Sequence, residues 1–166
     1  MKLSGTSSTS TSQMKELLGI ALSSGTISFC SLLEEEDGGV HFMQMPEYEI
    51  LLKDEGLILS ISWSGCFRLA ASTQSSSLLI FDARSDSNGL EVVHRINDAH
   101  QLLHENVPAW ITAFDINDDR RIISGGDDMA LKLWDTRISG GSGPISMNRK
   151  THQAGVTAVC FSLFFS

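Results

Sequence analysis

The chain repeats itself. Residues 57–84, LILSISWSGCFRLAASTQSSSLLIFDAR, align without a gap on residues 110–137, WITAFDINDDRRIISGGDDMALKLWDTR, at a spacing of 53. Leu78 falls on Leu131, Ile80 on Leu133, Phe81 on Trp134, Asp82 on Asp135 and Arg84 on Arg137. Within each copy apolar and polar residues alternate, the period of a strand whose two faces meet different surroundings. Each unit therefore reads as a strand, a turn, a second strand, a polar hairpin and a third strand. A unit of this kind cannot bury its apolar face alone, so neighbouring copies must stack. The alternation predicts strands near 57–63, 67–73, 77–82, 110–116, 120–124, 130–135 and 156–162, arranged as consecutive antiparallel sheets.

The repeat also sets the boundaries. A third copy opens at 155–162, GVTAVCFS, with Thr157 under Thr112 and Ala158 under Ala113, and reads as a unit cut short after one strand. Residues 18–30, LGIALSSGTISFC, resemble the last two strands of a preceding unit. LLEEEDGG and HFMQMPEYEILLKDEG then connect it to the first full unit, with Met43, Met45 and Ile50 able to pack. The expected organisation is a disordered Ser/Thr-rich tail at 1–16 and a partial unit with its connection at 17–56. Full units follow at 57–99 and 100–138, then a linker and the start of another unit at 139–166. LEVVHRI, 90–96, is a further strand candidate, and SGGSGPIS, 139–146, a flexible surface connection.

Composition narrows the function classes. A net charge of −8 disfavours nucleic acid and anionic membranes, because phosphate binding needs clustered Lys and Arg. No apolar run is long enough to cross a bilayer. Cys30, Cys66 and Cys160 are odd in number, widely spaced and without a CxxC pair. That usage fits reduced thiols and a cytoplasmic, or also nuclear, location. No residue pattern calls for a cofactor or a metal.

The residues 100–137 carry a resemblance. His100, Ser124, Asp128 and Trp134 stand at the structural positions of the WD-repeat family, with Asp128 six and Ser124 ten residues before the Trp. The resemblance implies an all-β fold of β-propeller blades, here incomplete: about two full blades plus a partial one at each end. It also implies that these four side chains form a buried hydrogen-bonded network, which a fully satisfied set of polar groups can do. His152 would take the histidine role in the next unit, while His104 competes with His100 in its own. In the 57–84 unit Phe81 replaces the Trp and Ser75 holds the Asp position, so that unit is expected to lack the network.

SGGDD, 124–128, reads as the hairpin between second and third strands, Gly125 and Gly126 supplying turn conformations and Asp128 bonding the turn backbone. Two adjacent Asp residues offer too few oxygens for a divalent cation. Asp127 is left over and should point outward. Asp127 and His104, the least structurally committed histidine, are the surface candidates for chemistry; His94 reads as a strand residue and His41 as a loop or strand residue.

AWITAFD, SGGDDMALKLWDTR and HQAGVTAV together are similar to one group within the family, the diphthine methylesterases of diphthamide biosynthesis. The resemblance implies a carboxylic ester hydrolase, acting on the methyl ester of methylated diphthine on translation elongation factor 2. It carries no catalytic residue with it: there is no G-x-S-x-G elbow and no readable Ser/His/Asp order. The alternative is a non-enzymatic scaffold. Trp134, Asp135 and Arg137 form a W-D-x-R string, similar to the box by which some WD-repeat proteins dock on an adaptor of cullin-type ubiquitin ligases. A chain this short is expected to be weak or inactive as a hydrolase.

Overall fold

The computed structural model describes residues 16–34, 38–65, 68–82, 90–102, 107–117, 121–138, 143–149 and 152–162. They form three antiparallel sheets. The first contains β1 (Glu16–Ala21), β2 (Thr26–Glu34), β3 (Val40–Gln44) and the short β4 (Ile50–Leu51). The second contains β5 (Ile58–Ser64), β6 (Arg68–Thr73), β7 (Leu78–Asp82) and β8 (Glu91–Ile96), hydrogen-bonded in that order. The third contains β9 (Ile111–Asn117), β10 (Arg121–Gly126), β11 (Leu131–Asp135) and β12 (Ser146–Asn148), again in order. These are consecutive β-propeller blades.

The 53-residue spacing survives in three dimensions. β9, β10 and β11 begin and end 53 residues after β5, β6 and β7. Even the irregularities coincide, since the register breaks beside Ile58–Thr73 in one sheet and Ile111–Gly126 in the next. Ser76 and Met129, also 53 apart, both take left-handed backbone in the turn between second and third strands, with φ of 64° and 58°. A shared bulge re-aims the strand in the same way in both blades.

Why the blades stack is visible in the run Leu78-Leu79-Ile80-Phe81. All four are buried, because the middle sheet is covered on both faces and alternation deals its side chains to two cores. Leu79 and Phe81, with Leu69 and Ala71, pack on Ile27, Phe29 and Met45 of the first sheet. Leu78 and Ile80, with Ala70, pack on Ile111, Phe114, Ile122 and Trp134 of the third. Trp63 meets the Phe29 ring edge-on, with centroids 6.2 Å apart. Burying each large apolar side chain contributes roughly 1.5–3 kcal/mol.

Three expectations need correction. Residues 156–162 do not form a strand; Val156 N–H donates to Gly126 O, Phe161 N–H to Asp115 Oδ2 at 2.7 Å, and Thr112 Oγ1 bonds Val156 O. Single attachments, two of them through side chains, replace the ladder that defines a strand. Residues 31–56 are more than a connection, because β3 and β4 both pair with β2, and Leu22 N–H to Thr26 O repeats the turn bond Thr73 N–H to Ser77 O. Of the three residues expected to pack there, Met45 is buried and Ile50 lies against the core, but Met43 is exposed. The tail 1–15 and His104 lie outside the described residues.

Candidate functional site

The third blade is built around a chain of four polar side chains. His100 comes from the crossover that follows β8, Ser124 from β10, Asp128 from the turn after it and Trp134 from β11. Trp134 Nε1–H donates to Ser124 Oγ at 2.8 Å. Ser124 Oγ lies 2.8 Å from His100 Nε2, and His100 Nδ1 lies 2.6 Å from Asp128 Oδ1. A carboxylate can only accept, so Nδ1 carries the imidazole proton, and Nε2 accepts from the Ser124 hydroxyl. Asp128 Oδ1 also accepts the Ala130 N–H at 3.2 Å, which closes the turn.

Lys132 completes the arrangement. Its period-two position beside Trp134 points it inward, where it is 5% exposed. Nζ donates to Ala99 O at 2.6 Å and faces Asp128 Oδ2 at 3.4 Å, an oxygen that accepts no hydrogen bond among the described residues. Burial lowers the His100 pKa despite the Asp128 hydrogen bond that opposes it, so the ring stays neutral. Burial pushes Asp128 up, yet His100, the Ala130 amide and Lys132 together hold it below its ordinary value. Burial lowers Lys132 against the pull of Asp128.

Ser124, His100 and Asp128 stand in the relay order of a serine hydrolase, an arrangement that sequence order alone did not reveal. They cannot act as one. Ser124 and His100 are 0% exposed, and Ser124 Oγ is already committed to Trp134. The network fixes the turn. Asp127 is exposed beside buried Asp128.

Gly125 and Gly126 serve a different purpose from the one expected. Neither has left-handed backbone; Met129 does. They are small because other groups occupy the space above them. A Cβ on Gly125 would lie 2.6 Å from Val156 Cβ, and one on Gly126 would lie 2.6 Å from Trp110 O and 3.1 Å from His100 Nδ1.

The middle blade, expected to lack a polar network, has a different one. Glu55, 6% exposed, accepts from Thr73 Oγ1 at 3.1 Å, bonds Ser75 Oγ, and pairs with Arg95 Nη1. Burial raises the Glu55 pKa, but Ser75, Arg95 and Ser77 outweigh it and hold the carboxyl below its ordinary value. Glu55 lies in a loop with no periodicity, so no sequence signal marked it.

The other candidates lie apart. His94 is half-buried in β8, His41 is exposed in β3, and His152 is half-buried before the terminal segment. Asp135 receives Arg137 Nε at 2.8 and 3.1 Å and the Arg137 N–H at 3.0 Å, so this part of the W-D-x-R string folds back on itself. Among the described residues no group of His, Cys, Asp and Glu is placed to hold a metal ion, and no helix is long and apolar enough to cross a membrane.

No family model matches the chain. It is similar to the human protein named diphthine methyltransferase, 31% identical over 150 residues, which are 86% of this chain and 31% of that protein. The mouse protein of the same name is 31% identical over 150 residues, 30% of its length. A diphthine methyltransferase homolog of Dictyostelium discoideum is 26% identical over 120 residues, covering 72% of this chain and 30% of that protein. The chain thus spans about a third of the length of the curated relatives it matches. Among solved structures, a chain in the crystal structure of the mitotic checkpoint complex superposes with a TM-score of 0.60 at 17% identity, covering 87% of this chain and 37% of that one. That likeness shows the fold.

Proposed function

We propose that this chain belongs to an enzyme acting on the methyl group of diphthine, and that its reaction is hydrolysis of the methyl ester of methylated diphthine on translation elongation factor 2. The similarity to three proteins named for diphthine, reaching 86% of the chain, carries this reading. Those relatives are named methyltransferases, so the direction of the methyl chemistry is our own inference. Ester hydrolysis asks for a base, a water and donors to the oxyanion, all of which loops at one end of a blade can present.

The buried network takes no part in the reaction, and Asp127 is the exposed carboxylate it presents. The test incubates the chain, and separately a longer protein containing it, with elongation factor 2 carrying methylated diphthine. Loss of the methyl group by mass, with methanol released and no methyl donor added, supports hydrolysis. A gain of methyl that requires a donor overturns hydrolysis in favour of transfer. No change with either protein favours the scaffold, and co-purification with a ubiquitin-ligase adaptor would then identify its partner.

A further inference from the structure

Trp110 stands at the mouth of β9 and is 45% exposed, an unusual place for the largest aromatic side chain. The Asp127 N–H donates to Trp110 O at 3.1 Å, so the two backbones are clasped at one end of the blade while both side chains face solvent. Met129, 37% exposed, leaves the same turn. Gly126 lies between Trp110 O and the His100 ring, both too close to admit a side chain. The exposed residues are therefore held by the buried network beneath them, the rigid support that a binding site needs.

The middle blade supplies a control within the molecule. Leu57 and Gln74 stand 53 residues before Trp110 and Asp127, and the same backbone bond joins them, Gln74 N–H to Leu57 O at 2.8 Å. There Gln74 Oε1 accepts the Leu57 N–H at 3.4 Å, so the side chain turns back on its own blade. Among the described residues neither the Asp127 carboxylate nor the Trp110 indole N–H has a partner. On one scaffold, an aliphatic side chain and a self-satisfied amide are replaced by an aromatic face and an uncommitted negative charge.

An aromatic face beside a carboxylate is the chemistry that receives a quaternary ammonium, which has no N–H to donate and is held by its charge and its methyl surface. We propose that Trp110 and Asp127 form a receiving site for a quaternary ammonium group. The choice of ligand rests on the function proposed above: methylated diphthine carries its trimethylammonium and its ester carbonyl on the same carbon. Seating the cation at Trp110 holds the ester two bonds away, and the chain's net charge of −8 favours the approach of a cationic side chain. Trp110 and Asp127 are positioning residues in this account, and no covalent step passes through them.

The test uses small probes and the folded 166-residue chain. The methyl ester of glycine betaine reproduces the trimethylammonium and ester on one carbon; its tert-butyl analogue, with carbon in place of nitrogen, has the same shape without the charge. In nitrogen-labelled protein the betaine ester should shift the Trp110 indole and Asp127 amide signals saturably. The uncharged analogue should bind at least roughly threefold more weakly. Trp110→Ala and Asp127→Asn should each weaken the betaine ester roughly three- to tenfold, read at the Met129 amide, and Trp110→Phe should retain most of the affinity. Unchanged denaturation midpoints would show that the variants fold. Equal response to both probes, or undiminished binding in Trp110→Ala, overturns the site. If the cation titrates Trp110 but no ester is hydrolysed, the site stands and the enzymatic reading fails. Hydrolysis with an unresponsive Trp110 removes the site and leaves the reaction.

Discussion

His100 Nδ1 and Asp128 Oδ1 approach to 2.6 Å, with the two side chains 0% and 1% exposed, although all of β9 and β10 separates them along the chain. Neither group reaches water, and among the described residues the His100 Nδ1–H has Asp128 as its acceptor. Asp128→Ala leaves the His100 N–H and the Ala130 amide without an acceptor and should destabilise by about 1–3 kcal/mol. Asp127→Ala, one residue earlier but exposed, should be close to neutral. Chemical denaturation of the two variants measures the difference, and equal midpoints would contradict the assignment.

Stability should fall with acid in two stages. Burial holds His100 below the ordinary value of 6.5, so between that value and its lowered one the unfolded chain binds a proton that the folded chain refuses. This contribution is complete above 6.5 and is lost as the pH drops through the interval. Asp128 and Glu55 are also held below their ordinary values of 3.8 and 4.5; their contributions are present above those values and are lost at lower pH. Urea midpoints across the range should show the upper stage in the natural chain and not in His100→Gln. A flat profile between about pH 7.5 and 5.5 would refute it.

Glu55 makes the loop before β5 part of the middle blade. Glu55→Ala removes the acceptor shared by Thr73, Ser75 and Arg95, while the two hydroxyls keep each other and Ser77 as partners, and should cost about 1–2 kcal/mol. Arg95→Ala should cost under about 1 kcal/mol, because the Arg side chain is 42% exposed and solvent screens the pair. Thermal unfolding of both variants tests the ranking, which a larger Arg95 effect would reverse.

The two glycines of the hairpin should respond differently to a methyl group. Gly125→Ala meets the Val156 side chain down to its Cβ, and the double variant with Val156→Gly should recover part of a loss of about 1–3 kcal/mol. Gly126→Ala meets the Trp110 carbonyl and the His100 ring, and no side-chain substitution relieves a backbone clash. Recovery by Val156→Gly in the Gly126 variant as well would show that the crowding is misplaced.

The strands of the middle and third blades were legible in the sequence because alternation and the 53-residue spacing both point to them. Ile58–Ser64 and Ile111–Asn117 lie within one residue of expectation. The burial of Asp128 was implied by the resemblance to the WD-repeat family, and the exposure of Asp127 by its being left over from that set. Residues 156–162 alternate just as well but form no ladder, since a period records what a strand prefers and not whether a partner strand is there. Gly125 and Gly126 were assigned to the wrong cause. A glycine's dihedral freedom and its lack of volume look identical in one sequence, and only the positions of Val156 and Trp110 separate them. Glu55 and Arg95 carry no spacing signal because they meet across a loop and an edge strand.

The crossover through His100 ties two blades together. Ala99 N–H donates to Ser76 O and His100 N–H to Ser76 Oγ in the middle blade, while the imidazole of the same residue serves Ser124 and Asp128 in the third. In a stacked array each unit has its own stability and a term shared with its neighbour. Here the polar part of the shared term passes largely through one residue, beside the apolar contacts of Leu78 and Ile80 on the third sheet. Melting the turn at Ser76 would release the backbone that holds the imidazole, and the third blade would lose its network without any change in its own sequence. The two blades therefore behave as one cooperative unit, with the repeat boundary inside it.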